Sequence, residues 1–342
     1  MLNSPDLDKI KKDLTDNHYN DNCETCYNLE KHSGTATLRN HFNLHYPEID
    51  KGLQFLEVRW SNLCNLTCVY CGSTQSSSWE DKLNPHKVKT IRNSYDIELE
   101  EWILSKSEQI HELILVGGEP LLMKQNFALL QKISDSARLL IITNLSYNLI
   151  NNPCAELLFK RPVDNTLWNI SVENYGDKFE YIRTGAKWTQ FENNLKLLVE
   201  RAPNTVNLLM VYGIFSALNL LDTVKMYHSL GVKKIQINML GGNPALDLFN
   251  FPSSIIKIAR DQLQQVLEWQ KETYSIDYDL YKCYDIEPIL TKLNEIIYNN
   301  SHVIISKSKF IEEIEKYDRW TKRKFSDLWT DEYNLIMKEL ND

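Results

Sequence analysis

A parallel α/β fold is the class this sequence predicts, on three observations. Between residues 53 and 240 the chain carries six short apolar runs rich in β-branched residues. Helix-period stretches separate them, and the unit length matches the roughly thirty residues of a βαβ repeat. Strands that read as continuous apolar runs rather than alternating ones are buried on both faces, as in parallel sheets.

Each element has its own signal. Residues 4–14, "SPDLDKIKKDL", place Ser-Pro at the cap and first turn of a helix. The strands are expected within "LQFLEVRW" (53–60), "HELILVGG" (111–118), "ARLLIITN" (137–144), "TLWNISVE" (166–173), "TVNLLMVYG" (205–213) and "KKIQINML" (233–240). Between them, "FALLQKIS", "FENNLKLLVE" and "LLDTVKMYHSLG" have the helical period, and a C′ glycine closes the last. After residue 255 the chain turns helical: "SIIKIARDQLQQVLEWQKETY", "IEPILTKLNEIIYN" and "KFIEEIEKYDRW". The expected divisions are 1–50, an amino-terminal extension with cysteines; 51–245, the α/β part; and 246–342, a helical cap.

Composition sets the surroundings. A chain of 342 residues with 43% hydrophobic residues can bury a large core. A net charge of −8 and a pI near 5.6 argue against a protein held on a nucleic-acid backbone. No apolar run reaches the eighteen or so residues of a membrane span, and residues 1–30 are polar and unlike a signal peptide, so a cytoplasmic location is expected. Seven cysteines, mostly clustered, suit metal binding in a reducing compartment better than a disulfide framework.

Three of the seven lie in "SNLCNLTCVYCGS" (61–73), where Cys64, Cys68 and Cys71 are spaced C-x3-C-x2-C. They follow the first strand, at the end where parallel α/β folds bind ligands. Thiolates select zinc or iron–sulfur clusters. A structural zinc site takes four ligands, and His86 has no partner at finger spacing. Three cysteines can instead hold three irons of a 4Fe-4S cube and leave the fourth open. The plainer alternative is a zinc knot completed by a distant residue.

The triplet, with Tyr70 before its last cysteine, and "VGGEP" (116–120) at the end of the second strand together resemble the radical S-adenosylmethionine (radical SAM) enzymes. The similarity runs through "TNLS" and the stretch 171–198 to the sixth strand, about residues 53–240. It implies a partial (β/α)6 TIM-like barrel, a 4Fe-4S cluster on Cys64, Cys68 and Cys71, and S-adenosyl-L-methionine chelated at the open iron. One electron then cleaves that cofactor to methionine and a 5′-deoxyadenosyl radical, so a reductant such as flavodoxin or ferredoxin is an implied partner. By the same resemblance, Gly117, Gly118 and Glu119 receive the methionine end, and Tyr70 lies near adenine. Asn144, Ser171, Glu173 and Asn238 occupy strand ends that contact ribose, sulfonium or adenine, and Arg183 faces the cofactor carboxylate. The alternatives are a plain glycine turn, turn-forming strand ends and, for Arg183, a surface salt bridge; Arg59 balances cluster charge or is simply solvated.

Cys23 and Cys26, in "CETC", resemble the region ahead of the barrel in radical SAM proteins with a twitch domain, a shortened auxiliary-cluster module. Longer members carry further cysteines upstream, for which this chain begins too late, so it is a short form or its auxiliary site is incomplete. A zinc half-site and a redox pair are the other options. Cys154 has the look of a helix-start or core cysteine, and Cys283 is ambiguous. For the substrate, a peptide or protein is expected from the module and from a tail whose Trp320 and Trp329 either cover a ligand or form core. A small polar metabolite, a sugar or nucleotide, is the other substrate class. A protein that keeps the site but has lost its chemistry is the non-enzymatic alternative.

Overall fold

The computed structural model describes residues 5–16, 18–24, 27–28, 31, 53–83, 94–281, 283, 286–299 and 302–341. The chain divides into two compact units, Met1–Gln54 and Phe55–Asp342. In the first, helix α1 (Pro5–Thr15) opens on its proline, whose missing N–H costs nothing in a first turn. A 3₁₀ turn, Asp21–Cys23, is capped by Asn20, whose Oδ1 accepts from the Asn22 N–H at 3.0 Å. Cys23 ends this turn half-exposed, while Cys26 lies outside the described residues.

The second unit is built on six strands: β1 (Phe55–Val58), β2 (Glu112–Leu115), β3 (Arg138–Thr143), β4 (Thr166–Val172), β5 (Val206–Tyr212) and β6 (Lys234–Met239). Every neighbouring pair is parallel, and the order across the sheet is the order in the chain. Among the described residues β1 and β6 do not pair, so this is an unclosed (β/α)6 barrel, as expected. All six strands fall inside the apolar runs that predict them.

The crossovers are helical: α2 (Ser77–Leu83) and α3 (Ser94–Ser105), then α4 (Lys124–Leu130), α5 (Pro153–Lys160), α6 (Gly176–Ile182), α7 (Trp188–Arg201) and α8 (Leu220–Ser229). Helix α8 ends as its glycine predicts. Gly231 adopts φ +89°, its N–H donates to the His228 carbonyl, and the Val232 N–H reaches back to the Tyr227 carbonyl. That pair of hydrogen bonds is a Schellman motif, and it favours a residue without Cβ at the left-handed position.

The two faces of the sheet differ. Tyr212 donates its hydroxyl to the Ala259 carbonyl, and Trp168 stacks on Phe159 of α5, so those positions and their parity mates face helices. The alternate positions Ile114, Leu140, Ile142, Leu167, Leu209 and Val211 are only half-buried and face the concave side. Register places Asn169 beside Asn207 and Ser171 beside Leu209 on the same face.

The tail closes the unit. Helix α9 (Ser253–Tyr274) buries Ile255, Ile256, Ala259, Leu263 and Val266 along one stripe. Then come α10 (Tyr278–Tyr281), α11 (Ile286–Asn299), α12 (Lys307–Thr321), α13 (Phe325–Leu328) and α14 (Thr330–Glu339). Phe325 and Trp329 are buried against Phe215 and Tyr181 of the barrel, each such side chain contributing about 1.5–3 kcal/mol. Of the two tail tryptophans, Trp329 is therefore core, whereas Trp320 is half-buried.

Candidate functional site

The cysteine loop between β1 and α2 has almost no regular structure, yet it is held at many points. The Thr67 and Val69 N–H groups donate to the Thr184 and Ile182 carbonyls, both at 2.9 Å. Ser76 Oγ donates to the Leu66 carbonyl at 2.6 Å and Ser78 Oγ to the Cys64 carbonyl at 2.7 Å. The Cys64 N–H donates to Ser77 Oγ, and the buried indole of Trp79 donates to the Cys68 carbonyl at 2.9 Å. These four residues escape the sequence analysis. Their signal is "SSSW", separated from the triplet by four residues, a run of hydroxyls at the start of a helix, where Ser is favoured as a cap.

All three thiols of the loop are free; Cys68 is buried, Cys64 half-buried and Cys71 exposed. The interaction of Cys68 with Cys71 holds Cys68 well above the usual thiol range and draws Cys71 down to about 7. Burial pushes Cys64 up. Asn144 at the end of β3 donates Nδ2 to Cys64 Sγ at 3.7 Å, and Arg183 brings Nη1 to 4.0 Å from Cys68 Sγ.

Two buried carboxylates flank the loop. Glu119 is fully buried; its Oε1 accepts from the Leu121 N–H (3.1 Å) and the Thr143 hydroxyl (2.7 Å), its Oε2 from the Asn144 N–H (2.8 Å). Burial raises its pKa and so disfavours the charged form, while these bonds to the charged form oppose the rise. Glu173 meets Arg183 in a two-pronged pair, Nε to Oε2 at 2.9 Å and Nη2 to Oε1 at 2.6 Å, both side chains buried. Burial would weaken the Arg183 charge, but the Glu173 carboxylate outweighs it and keeps the guanidinium firmly protonated. So Nε and Nη2 of Arg183 are paired with Glu173, and Nη1 is the nitrogen that reaches further.

The glycine pair also differs from its simplest expectation. A Cβ on Gly118 would lie 2.3 Å from the Leu63 carbonyl oxygen and 2.5 Å from that of Asn62. The Glu119 N–H donates to the same Leu63 carbonyl at 2.7 Å. The space a side chain would take is filled by the cysteine loop's own backbone, which locks the two motifs together. Gly117, at φ +142°, also lies where a Cβ would strike Met123. A Gly118→Ala substitution is therefore expected to cost the apo fold about 1–3 kcal/mol, since backbone cannot give way as a side chain can. Denaturant midpoints of wild type and variant check this; an unchanged midpoint would refute the interlock.

Tyr70 sets its ring edge-on to Phe215 at 5.8 Å, and its buried hydroxyl has no hydrogen-bond partner among the described residues. Ser171 is half-buried on the concave face, Asn238 is exposed near the end of β6, and Arg59 is exposed. Cys154 is buried in the first turn of α5, and burial lifts its thiol to about 11. Cys283 is buried, its N–H donating to Gln270 Oε1, with a thiol raised to about 12 by burial. Both are core cysteines.

The donor set fits an iron–sulfur cluster. Among the described residues no three His, Cys, Asp or Glu side chains converge as one metal ion requires. Three free thiols on one braced loop, one of them beside a guanidinium, suit a cube whose irons each take a separate cysteine.

The chain is similar to several solved structures. A structure of native anSMEcpe with bound AdoMet is 16% identical over 63% of this chain and 60% of that one, at a TM-score of 0.45. SuiB of Streptococcus suis bound to S-adenosylmethionine is 15% identical over 78% and 58%, at 0.46. TYW1 with a lysine-pyruvate adduct bound is 12% identical over 72% and 80%, at 0.44. The chain spans about 60% of the length of the anSMEcpe and SuiB structures it matches. No curated protein matches the sequence. The radical SAM superfamily model matches residues 58–216, the stretch that holds the cysteine loop, the glycine turn interlocked with it, and the Glu173–Arg183 pair. This chain therefore carries a radical SAM domain.

Proposed function

We propose that the protein holds a 4Fe-4S cluster on Cys64, Cys68 and Cys71, binds S-adenosyl-L-methionine at the remaining iron, and abstracts hydrogen from a carbon of a peptide or protein. When bound, the pair supplies a 5′-deoxyadenosyl radical after one-electron reduction. The interlock of the cysteine loop with Gly118 carries this reading, because it places the two motifs in one rigid unit. In it, the Gly117–Glu119 turn and Asn144 take the methionine end, Tyr70 and Asn238 the adenine side, and Ser171 the ribose. Glu173 and Arg183 act from beneath, on Cys68. Cys23 and Cys26 are proposed as an auxiliary cluster site of a twitch-like extension, and the cytoplasm as the compartment.

The substrate class is argued from the concave face. Six aliphatic side chains, Ile114, Leu140, Ile142, Leu167, Leu209 and Val211, are left half-buried there. A peptide side chain would cover such a wall; a sugar or nucleotide would leave much of it wet. With reductant and cofactor, the reconstituted protein should form 5′-deoxyadenosine. Deuterated cell extract, split into peptide and small-molecule fractions, should deliver label to that product from the peptide fraction. Label from the small molecules alone would overturn the peptide assignment, and no 5′-deoxyadenosine at all would overturn the activity.

A further inference from the structure

The chain is acidic overall, yet residues 316–324, "KYDRWTKRK", place Lys316, Arg319, Lys322, Arg323 and Lys324 around the single carboxylate Asp318. They form the end of α12 and the turn after it. Lys82 of α2 joins them, donating Nζ to the Trp320 carbonyl at 3.4 Å. It also lies 5.4 Å from the Trp79 ring and 5.7 Å from the Trp320 ring, while Lys316 stands 4.8 Å over Trp320 from its own helix.

Five of the nearby carboxylates are already engaged. Asp318 accepts from the Tyr181 hydroxyl and the Phe325 N–H, both at 2.8 Å. Glu313 takes Lys316 at 3.3 Å, Glu315 lies 3.9 Å from Arg319, and Arg323 is held by Asp177 and Glu180. Lys82, Lys322 and Lys324 are exposed and form no ion pair among the described residues. Burial and then the neighbouring Lys322 charge lower Lys82, so the like charges stand close enough to feel each other. Lys322 also holds φ +57°, a left-handed position where glycine or asparagine would be less strained.

Beneath this patch lies a short path to the cysteine loop. Trp320 meets Trp79 edge-on at 4.4 Å, and the Trp79 indole donates to the Cys68 carbonyl. Two net-acidic proteins repel each other unless the face on which they meet is locally positive. Three unpaired cations are too few for a nucleic-acid backbone on a chain of net charge −8.

We infer that the face formed by Lys82, Trp320, Lys322 and Lys324 docks an acidic one-electron carrier protein that reduces the cluster on Cys64, Cys68 and Cys71. The inference rests on the proposed function. The carrier loses one electron and the cluster gains it; no bond is made or broken at this face.

The test uses the holoprotein, its apo form and reduced flavodoxin, a small acidic flavin protein. Reversing charge with Lys82→Glu, Lys322→Glu and Lys324→Glu should weaken flavodoxin binding to the apo protein about tenfold or more. Raising the ionic strength should weaken the wild-type complex and leave the variant's little changed. Flavodoxin-driven reduction of the cluster, followed by its visible absorbance, should slow by a similar factor, while dithionite reduces both forms alike. Because Lys82 touches Trp320, the Lys322→Gln, Lys324→Gln variant is measured as well and should lose binding in the same direction. Unchanged binding and reduction by flavodoxin in these variants, or no binding to wild type, would overturn the docking face. A wild type that forms no 5′-deoxyadenosine with dithionite would overturn the proposed function instead, and the apo binding measurement would still decide the face.

Discussion

Replacing Cys64, Cys68 and Cys71 together by alanine is expected to abolish 5′-deoxyadenosine formation and remove about four iron atoms per chain, with the apo fold retained. The fold survives because the loop is held by backbone and neighbouring side chains, not by sulfur. Thr67 and Val69 are tied to the segment carrying Arg183, and Ser76, Ser78 and Trp79 bond the loop's carbonyls directly. Only Cys68 of the three is buried, so the packing cost of the triple variant is about 1 kcal/mol. Cys154→Ala and Cys283→Ala should behave in the opposite way, losing stability while keeping iron, since both thiols sit in the core. Iron analysis with a denaturant curve separates the two groups. Wild-type iron above the four of one cube, lost in a Cys23→Ala, Cys26→Ala double variant, would locate the auxiliary site. Retained 5′-deoxyadenosine in the triple variant would rule out the cluster assignment.

What the sequence discloses and what it hides follow from range. The strands are legible because both faces carry apolar side chains, one packed on helices and the other lining the concave side, so each is an unbroken apolar run, as "LLIIT" in β3 shows. The close of α8 at Gly231 is legible because a Schellman motif is a local demand on one φ angle. The triplet and the glycine turn stand out by their residue types. Their interlock does not, because the contact of Gly118 with Asn62 and Leu63 joins segments more than fifty residues apart. In the same way, nothing local to Trp79 announces Trp320, and nothing in "YIRTG" says which carboxylate takes the arginine's fork. A buried side chain's partner is set by the tertiary fold, and one sequence lists only its suitors.

That pairing leads to the second large expected effect. Arg183→Met is expected to destabilise the apo protein by about 3–5 kcal/mol, because it strands the Glu173 carboxylate in a site with almost no solvent. Glu173→Gln should cost a similar amount by leaving the guanidinium without its counter-charge. The Glu173→Met, Arg183→Met double variant should recover most of this loss, since well-packed apolar side chains replace a buried ion pair at little net cost. The recovered fold then isolates what the arginine does for Cys68. Its Nη1 stands 4.0 Å from that sulfur, and positive charge and hydrogen bonds at a ligand sulfur favour the reduced cluster. The double variant should therefore reconstitute with iron but show a more negative midpoint potential in an EPR-monitored titration. Its affinity for S-adenosylmethionine should be little changed, because the guanidinium fork is already occupied by Glu173. The opposite pattern, weakened cofactor binding with an unmoved potential, would return Arg183 to the cofactor carboxylate and refute its assignment to Cys68. Arg183→Lys is the remaining control. A single ammonium cannot serve both Glu173 oxygens and the sulfur at once, so it should fall between wild type and Arg183→Met in stability.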